Sequence, residues 1–203
     1  MVRTGSFLAL VALGLSLFVS PAAADIEADA YLGGAFTNNS RLQSSLEPQS
    51  AHWDSSIAVG LRGTYWFEGK FDWIGLAADW SYFKPKDNNS SVEIQTFPLT
   101  PLLMVRIPLF RSEEFAAGRL TPYAAVGPGI FFSRIGADGS GSKTDVPVGL
   151  DYRFGLSLMF TKQVGLFSEY RYASAKFKFK ASGIRYKTRL NMNLASVGVK
   201  LRF

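Results

Sequence analysis

Eight stretches of the chain alternate between apolar residues and polar or small ones, and this period of two excludes most folds. Successive side chains of a β-strand point to opposite faces, whereas an amphipathic helix repeats its apolar positions every three or four residues. In the first stretch, 26–37, Ile26, Ala28, Ala30, Leu32, Gly34 and Phe36 share one face, against Glu27, Asp29, Tyr31 and Gly33. In the second, 56–67, Ile57, Val59, Leu61, Tyr65 and Phe67 oppose Arg62 and Thr64. The third, 73–83, sets Ile74, Leu76, Ala78, Trp80 and Tyr82 against Gly75, Ala77, Asp79 and Ser81. The fourth, 92–107, is less regular, with Phe97, Leu99, Leu103, Val105 and Ile107 opposite Thr100 and Arg106. The fifth, 120–134, carries Leu120, Ala124, Val126, Ile130 and Phe132 on one face. The sixth, 146–160, is the clearest, and its Asp151 and Arg153 stand alone in an apolar run. The seventh begins near Val164 and opposes Leu166, Tyr170 and Tyr172 to Glu169 and Arg171. The eighth ends the chain, with Val197, Val199, Leu201 and Phe203 against Ser196, Lys200 and Arg202. Upstream of it Leu190, Met192 and Leu194 fall in the opposite phase, which a bulge near Leu194 would reconcile.

The connections alternate as strictly as the residues. Segments 67–70, 111–118 and 161–163 are short to moderate, and 38–55, 84–91, 135–145 and 174–189 are longer and polar. Short turns on one side and long loops on the other are the asymmetry of outer-membrane barrels, with the turns in the periplasm. The expected fold is therefore all-β, an eight-stranded antiparallel up-and-down transmembrane β-barrel, with both termini periplasmic. A soluble barrel would invert the faces. Aromatic residues near the strand ends and the final Phe203 favour the membrane orientation, because aromatic girdles mark the two interfaces.

The amino end reads as a secretory leader. Arg3 precedes an uncharged apolar run over 7–18, followed by Ser20, Pro21, Ala22, Ala23 and Ala24, so cleavage is expected after Ala24. The run is too short for a spanning helix, which needs roughly 20 apolar residues. Two domains follow, a leader over 1–24 and a barrel over 25–203. The chain has no Cys, although small exported domains commonly rely on disulfides. A closed hydrogen-bonded barrel supplies another means of holding the fold. The formal net charge of +6 fits anionic headgroups in an exported protein better than nucleic acid.

Three motifs resemble the outer-membrane β-barrel family that includes OmpA-like, OmpX-like and opacity-type proteins. They are the run from Thr121 through Pro122, Tyr123 and Gly127 to Gly129, the run Glu169, Tyr170, Arg171, Tyr172, and the closing stretch Val197 to Phe203. The resemblance spans the chain beyond the leader loosely. It implies that Val197, Val199, Leu201 and Phe203 form a signal read by the barrel-assembly machinery during insertion. It names no activity, since the family is functionally diverse.

An eight-stranded barrel is just wide enough for side chains to fill. The alternation sends Glu27, Asp29, Asp79, Asp151 and Glu169 inward together with Arg62, Arg106, Arg153, Arg171, Lys200 and Arg202. Unpaired charges in so narrow a lumen would be costly, so a paired network that plugs the barrel is expected, with a narrow ion path as the alternative. The last long loop collects Lys176, Lys178, Lys180, Arg185, Lys187 and Arg189, placed to meet lipopolysaccharide phosphates just above the outer leaflet. Pro98, Pro101, Pro122 and Pro128 remove ladder donors from the fourth and fifth strands. Counting across the intervening turn sets Pro98 roughly opposite Pro128, and a lateral opening for a hydrophobic solute is one consequence to consider.

Enzymatic chemistry has little to work with. His52 is the single His and lies in the first long loop beside Asp54 and Ser55, without the strand-borne His and Ser of lipid A deacylases. One His, no Cys and scattered acids give no metal-ligand spacing, and residues 138–142 lack most ligands of a calcium loop. The expectation is a monomeric structural or surface-interaction barrel contacting outer-membrane lipid and lipopolysaccharide, with no cofactor and no nucleic acid. A conduit is the first alternative and a lipid-modifying enzyme the second.

Overall fold

The computed structural model describes residues 25–37, 40–42, 49–51, 55–84, 92–137, 140–181 and 184–203. Eight long strands form the wall: β1 (Asp25–Thr37), β2 (Ser56–Trp66), β3 (Ile74–Phe83), β4 (Val92–Arg106), β5 (Leu120–Ala137), β6 (Val148–Met159), β7 (Val164–Ala181) and β8 (Ile184–Arg202). Each pairs antiparallel with the next, and β1 pairs with β8 from Glu27↔Arg202 to Thr37↔Met192. The ring therefore closes, and within the barrel each long strand pairs on both sides.

Burial settles the faces. Outward Ile57 is 78% exposed, whereas inward Arg153 is 0% exposed. A water-soluble barrel would show the reverse. Phe67, Phe71, Trp73, Phe110, Phe160 and Phe203 are exposed around the end that carries the termini. Tyr82 and Phe97 stack near the other end, with ring centroids 4.9 Å apart. These rings lie where aromatic girdles belong. At the terminal end Gly69 (φ +66°) and Gly118 (φ +84°) adopt left-handed backbone, which Gly tolerates without the Cβ penalty.

Inward glycines seat aromatic rings. Tyr31, Trp66, Tyr123 and Phe167 are the direct cross-strand partners of Gly60, Gly75, Gly155 and Gly198. A Cβ at Gly60 would stand 2.3 Å from Cζ of Tyr31, and one at Gly155 would stand 2.3 Å from Cζ of Tyr123. The rings fill the lumen by lying across strands that offer no side chain. Each pair fixes its register, because a slip of one residue would put a ring against a side chain.

Four expectations from the sequence are corrected. No bulge occurs near Leu194: Leu194 pairs with Ala35 on one side and Arg171 on the other in unbroken register, and Met192 and Leu194 point inward. The segment 174–189 is not a loop, because β7 and β8 continue as a hairpin to Ala181↔Ile184. Likewise β5 runs on to Ala137 and pairs back with a short strand, Ser140–Asp145. Pro98 pairs with Phe131 rather than lying opposite Pro128.

The registers Leu99↔Ile130 and Leu103↔Val126 bracket an interruption in the ladder between β4 and β5. Counting between them sets Pro101 across from Pro128. Neither residue has an N–H to donate, which accounts for the missing ladder bonds. The wall is nevertheless tight at this seam, since a Cβ on Gly127 would come within 1.9 Å of the Pro101 carbonyl oxygen.

Candidate functional site: the lumen and the loop-end ribbon

The lumen is built from the inward positions of all eight strands. At the terminal end, Glu27 of β1 meets Lys200 and Arg202 of β8, with Arg202 Nη2 2.7 Å from Glu27 Oε1. Asp25 lies 2.6 Å from Arg106 Nη1 and 3.3 Å from Arg202 Nε. These two contacts bring opposite charges together without hydrogen-bond angles. The Arg106 guanidinium lies 4.2 Å over the Trp66 ring, an arrangement that favours a desolvated cation. Its Nε donates to the Asp72 carbonyl at 2.8 Å and ties the first turn to the lumen.

The centre of the barrel holds a denser cluster. Arg62 binds Asp29 at 2.7 Å and also Glu169. Arg153 meets three carboxylates: Asp79 at 2.8 Å, Asp151 at 3.0 Å and Glu169 at 3.4 Å. Arg171 meets Asp151 at 2.6 Å and donates to Ser81 Oγ at 2.9 Å. Arg153 and Arg171 are direct cross-strand partners. Like charges so placed repel, and Asp79 and Asp151 offset the repulsion by bridging both. The Tyr31 hydroxyl donates to Asp79 at 2.9 Å, and the Tyr123 hydroxyl donates to Glu169 at 2.8 Å.

With Asp25 included, six acids face six bases. Counting from Ile26 misses this residue, because it is the first of β1 and precedes the visible alternation. Alternation alone gives Tyr31 and Tyr123 no polar role. The signal was present in part, since a buried Tyr hydroxyl needs a partner. Every carboxylate of the network is engaged by a cation, an arrangement suited to holding eight strands together and unsuited to presenting a free base.

Toward the long connections the lumen changes character. Ala35, Ala58, Phe83, Phe131, Ala173, Ala175, Met192 and Leu194 are buried there. The Thr96 and Ser133 hydroxyls form a hydrogen-bonded pair at 3.2 Å within this layer. The apolar layer lies between the charge network and the loop end.

The β7–β8 hairpin continues past this layer. On its outer side the Tyr170 hydroxyl donates to Asn193 Oδ1 at 2.6 Å, and Ser174 Oγ donates to Asn191 Oδ1 at 2.9 Å. Beyond Ser174 the register pairs Lys176↔Arg189, Lys178↔Lys187 and Lys180↔Arg185. By strand alternation these six positions continue the outer face of Tyr170, Tyr172 and Ser174. Phe177↔Thr188 and Phe179↔Tyr186 alternate with them on the face that continues Ala173 and Ala175.

The remaining candidates are simply placed. Val197, Val199, Leu201 and Phe203 are exposed on the outer wall of β8 and its end, and the Phe203 N–H donates to the Ile26 carbonyl at 2.9 Å. His52, Asp54 and residues 138–139 lie outside the described residues. Among the described residues no group of three or more His, Cys, Asp or Glu is arranged to hold a metal ion.

A protein-family model described as the outer membrane protein beta-barrel domain matches residues 7–203. No curated protein matches the sequence. Among solved structures, the chain is similar to the outer membrane protein OprG from Pseudomonas aeruginosa, with a TM-score of 0.65 at 18% identity over 89% of this chain and 96% of that one. It is similar to Neisserial surface protein A, with a TM-score of 0.56 at 16% identity over 89% and 97%. The N-terminal β-barrel domain of Pseudomonas aeruginosa OprF gives a TM-score of 0.52 at 13% identity over 88% and 97%. At these identities the likeness is one of fold.

Proposed function

The chain belongs to the outer membrane protein β-barrel domain family, and on that footing we propose that it is a structural and surface-contact barrel whose β7–β8 ribbon binds lipopolysaccharide phosphates. The observation that carries this reading is the register of the ribbon. Six basic residues form three successive cross-strand pairs of a hairpin, in phase with Tyr170, Tyr172 and Ser174 below them. A lipid-facing wall thus passes through an aromatic and hydroxyl band into cations, the order in which acyl chains, sugars and phosphates are met on leaving the membrane. Each such cation near an anionic surface contributes about 1 kcal/mol.

The rest of the reading follows the wall. The termini share an end with the short connections, which supports a periplasmic location for both. The leader is removed after Ala24, so that Asp25 begins the protein at the mouth of the lumen. The assembly machinery reads Val197, Val199, Leu201 and Phe203, and the finished barrel acts as a monomer. The lumen is a plug, and no catalytic step or cofactor enters its role.

The test is retention of lipopolysaccharide. The protein is extracted from outer membranes in mild detergent, and bound lipopolysaccharide is quantified. Lys176→Glu, Lys178→Glu and Lys180→Glu together are expected to lower the retained amount roughly tenfold or more, since three contributions of about 1 kcal/mol are removed. Retention unchanged by all three substitutions would sink the proposal.

A further inference from the structure

Resting on the lipopolysaccharide reading, we infer that the ribbon's outer half is held together by the anions it binds: lipopolysaccharide phosphate is a structural partner of the β7–β8 hairpin. The register makes each rung a like-charge pair, Lys176↔Arg189, Lys178↔Lys187 and Lys180↔Arg185. Residues directly opposite on one face of an antiparallel pair lie close together, and like charges there destabilise the pairing. Three such rungs in succession compound the effect. No acidic residue occurs anywhere from Ser174 to Asn193, so the ribbon's own sequence supplies no counter-charge.

The barrel shows the contrasting solution. Arg153 and Arg171 are also directly opposed, but Asp79 and Asp151 lie between them at salt-bridge distance. The ribbon repeats the pairing beyond the barrel, at register positions in phase with the outer-face residues Tyr170, Tyr172 and Ser174. A phosphate between the two cations of a rung would do there what Asp151 does inside. Lipopolysaccharide is the occupant of matching chemistry, because it presents fixed phosphates to the side of the barrel. A hairpin without a hydrophobic face covered on both sides is marginal by itself, so its pairing depends on what neutralises the rungs.

Amide hydrogen exchange on the whole protein tests this. The protein is refolded into phosphatidylcholine vesicles with and without lipopolysaccharide, and lipopolysaccharide binding is measured on the same samples. Exchange in 177–181 and 184–188 is expected to slow about tenfold or more when lipopolysaccharide is present, with exchange in 165–173 unchanged. A second arm uses Arg185→Glu, Lys187→Glu and Arg189→Glu together, which turn the rungs into Lys–Glu pairs. This variant is expected to show slow ribbon exchange in phosphatidylcholine alone, with no further slowing from lipopolysaccharide. Its heat-modifiable gel migration should match that of the unaltered protein, since the substitutions lie beyond the barrel. Lipopolysaccharide that binds without slowing ribbon exchange would overturn the inference. So would a rung-reversed variant that exchanges as fast as the original in phosphatidylcholine. Failure of lipopolysaccharide to bind at all would instead remove the preceding proposal, and the rung-reversed arm would then decide the repulsion alone.

Discussion

The two ends of the lumen are filled by opposite chemistries. From the termini to the centre, Asp25, Glu27, Asp29, Asp79, Asp151 and Glu169 are matched by Arg62, Arg106, Arg153, Arg171, Lys200 and Arg202. Toward the loops, Phe83, Phe131, Met192 and Leu194 pack with four alanines. The inward positions of this narrow barrel are buried, so each end must satisfy its residues internally. The charged part does so by pairing, and the apolar part does so by volume. The two should therefore fail differently. Loss of one ion strands its partners, whereas loss of one methyl group leaves only a cavity.

The largest effect is expected from Arg153→Met. Arg153 is fully buried and holds Asp79, Asp151 and Glu169. Removing one partner of a buried ion pair costs about 3–5 kcal/mol, because the remaining charge is left uncompensated. Urea unfolding from phosphatidylcholine vesicles measures the loss. Adding Asp79→Asn, which removes a carboxylate that Arg153 holds at 2.8 Å and Arg171 reaches only at 3.8 Å, should restore part of it, and a double variant less stable than Arg153→Met would break the charge account. Next comes Leu194→Ala, expected to cost about 2–3 kcal/mol by leaving a cavity. Leu194→Met, which conserves volume, should cost less than about 1.5 kcal/mol. Equal losses from the two Leu194 variants would show that the loop end is not held by packing.

The same contrast explains what was legible before the structure. A charge inside a period-two apolar run has one permitted side, so the inward placement of Asp151 and Arg153 could be read directly. Met192 and Leu194 could not be placed that way. Apolar residues are compatible with both faces of this barrel, and only the registers with Ala35, Ala173 and Arg171 decide. An inside that is polar throughout would require a bulge there, and the buried Met192 and Leu194 remove that requirement. The ribbon is hidden in the sequence for a related reason. Residues 176–180 alternate as regularly as any strand, but cations take the register positions in phase with Tyr170, Tyr172 and Ser174, where a lipid-facing wall would be apolar. That inversion does not mark the end of β7, whose pairing with β8 continues to Ala181↔Ile184. Asp25 was missed because alternation needs a neighbour on each side to be visible. The four aromatic-on-glycine seats were illegible because their pairing lies in cross-strand register, which a single sequence does not print.

On the proposed plug, the two fillings close the barrel in series, and the smallest expected effect tests this. An ion entering from the loop end would first have to cross the layer of Phe83, Phe131, Met192 and Leu194, and apolar constrictions block ions by excluding water. It would then meet carboxylates already bound to Arg62, Arg153 and Arg171, which must give up a partner before they can accept it. Either obstacle suffices, so Leu194→Ala should leave a planar bilayer as silent as the unaltered protein does, despite its lower stability. Steady single-channel steps from Leu194→Ala alone would mean that the ion-paired half conducts and that only the apolar layer closes the lumen. Steps from the unaltered protein would mean that neither half is a seal.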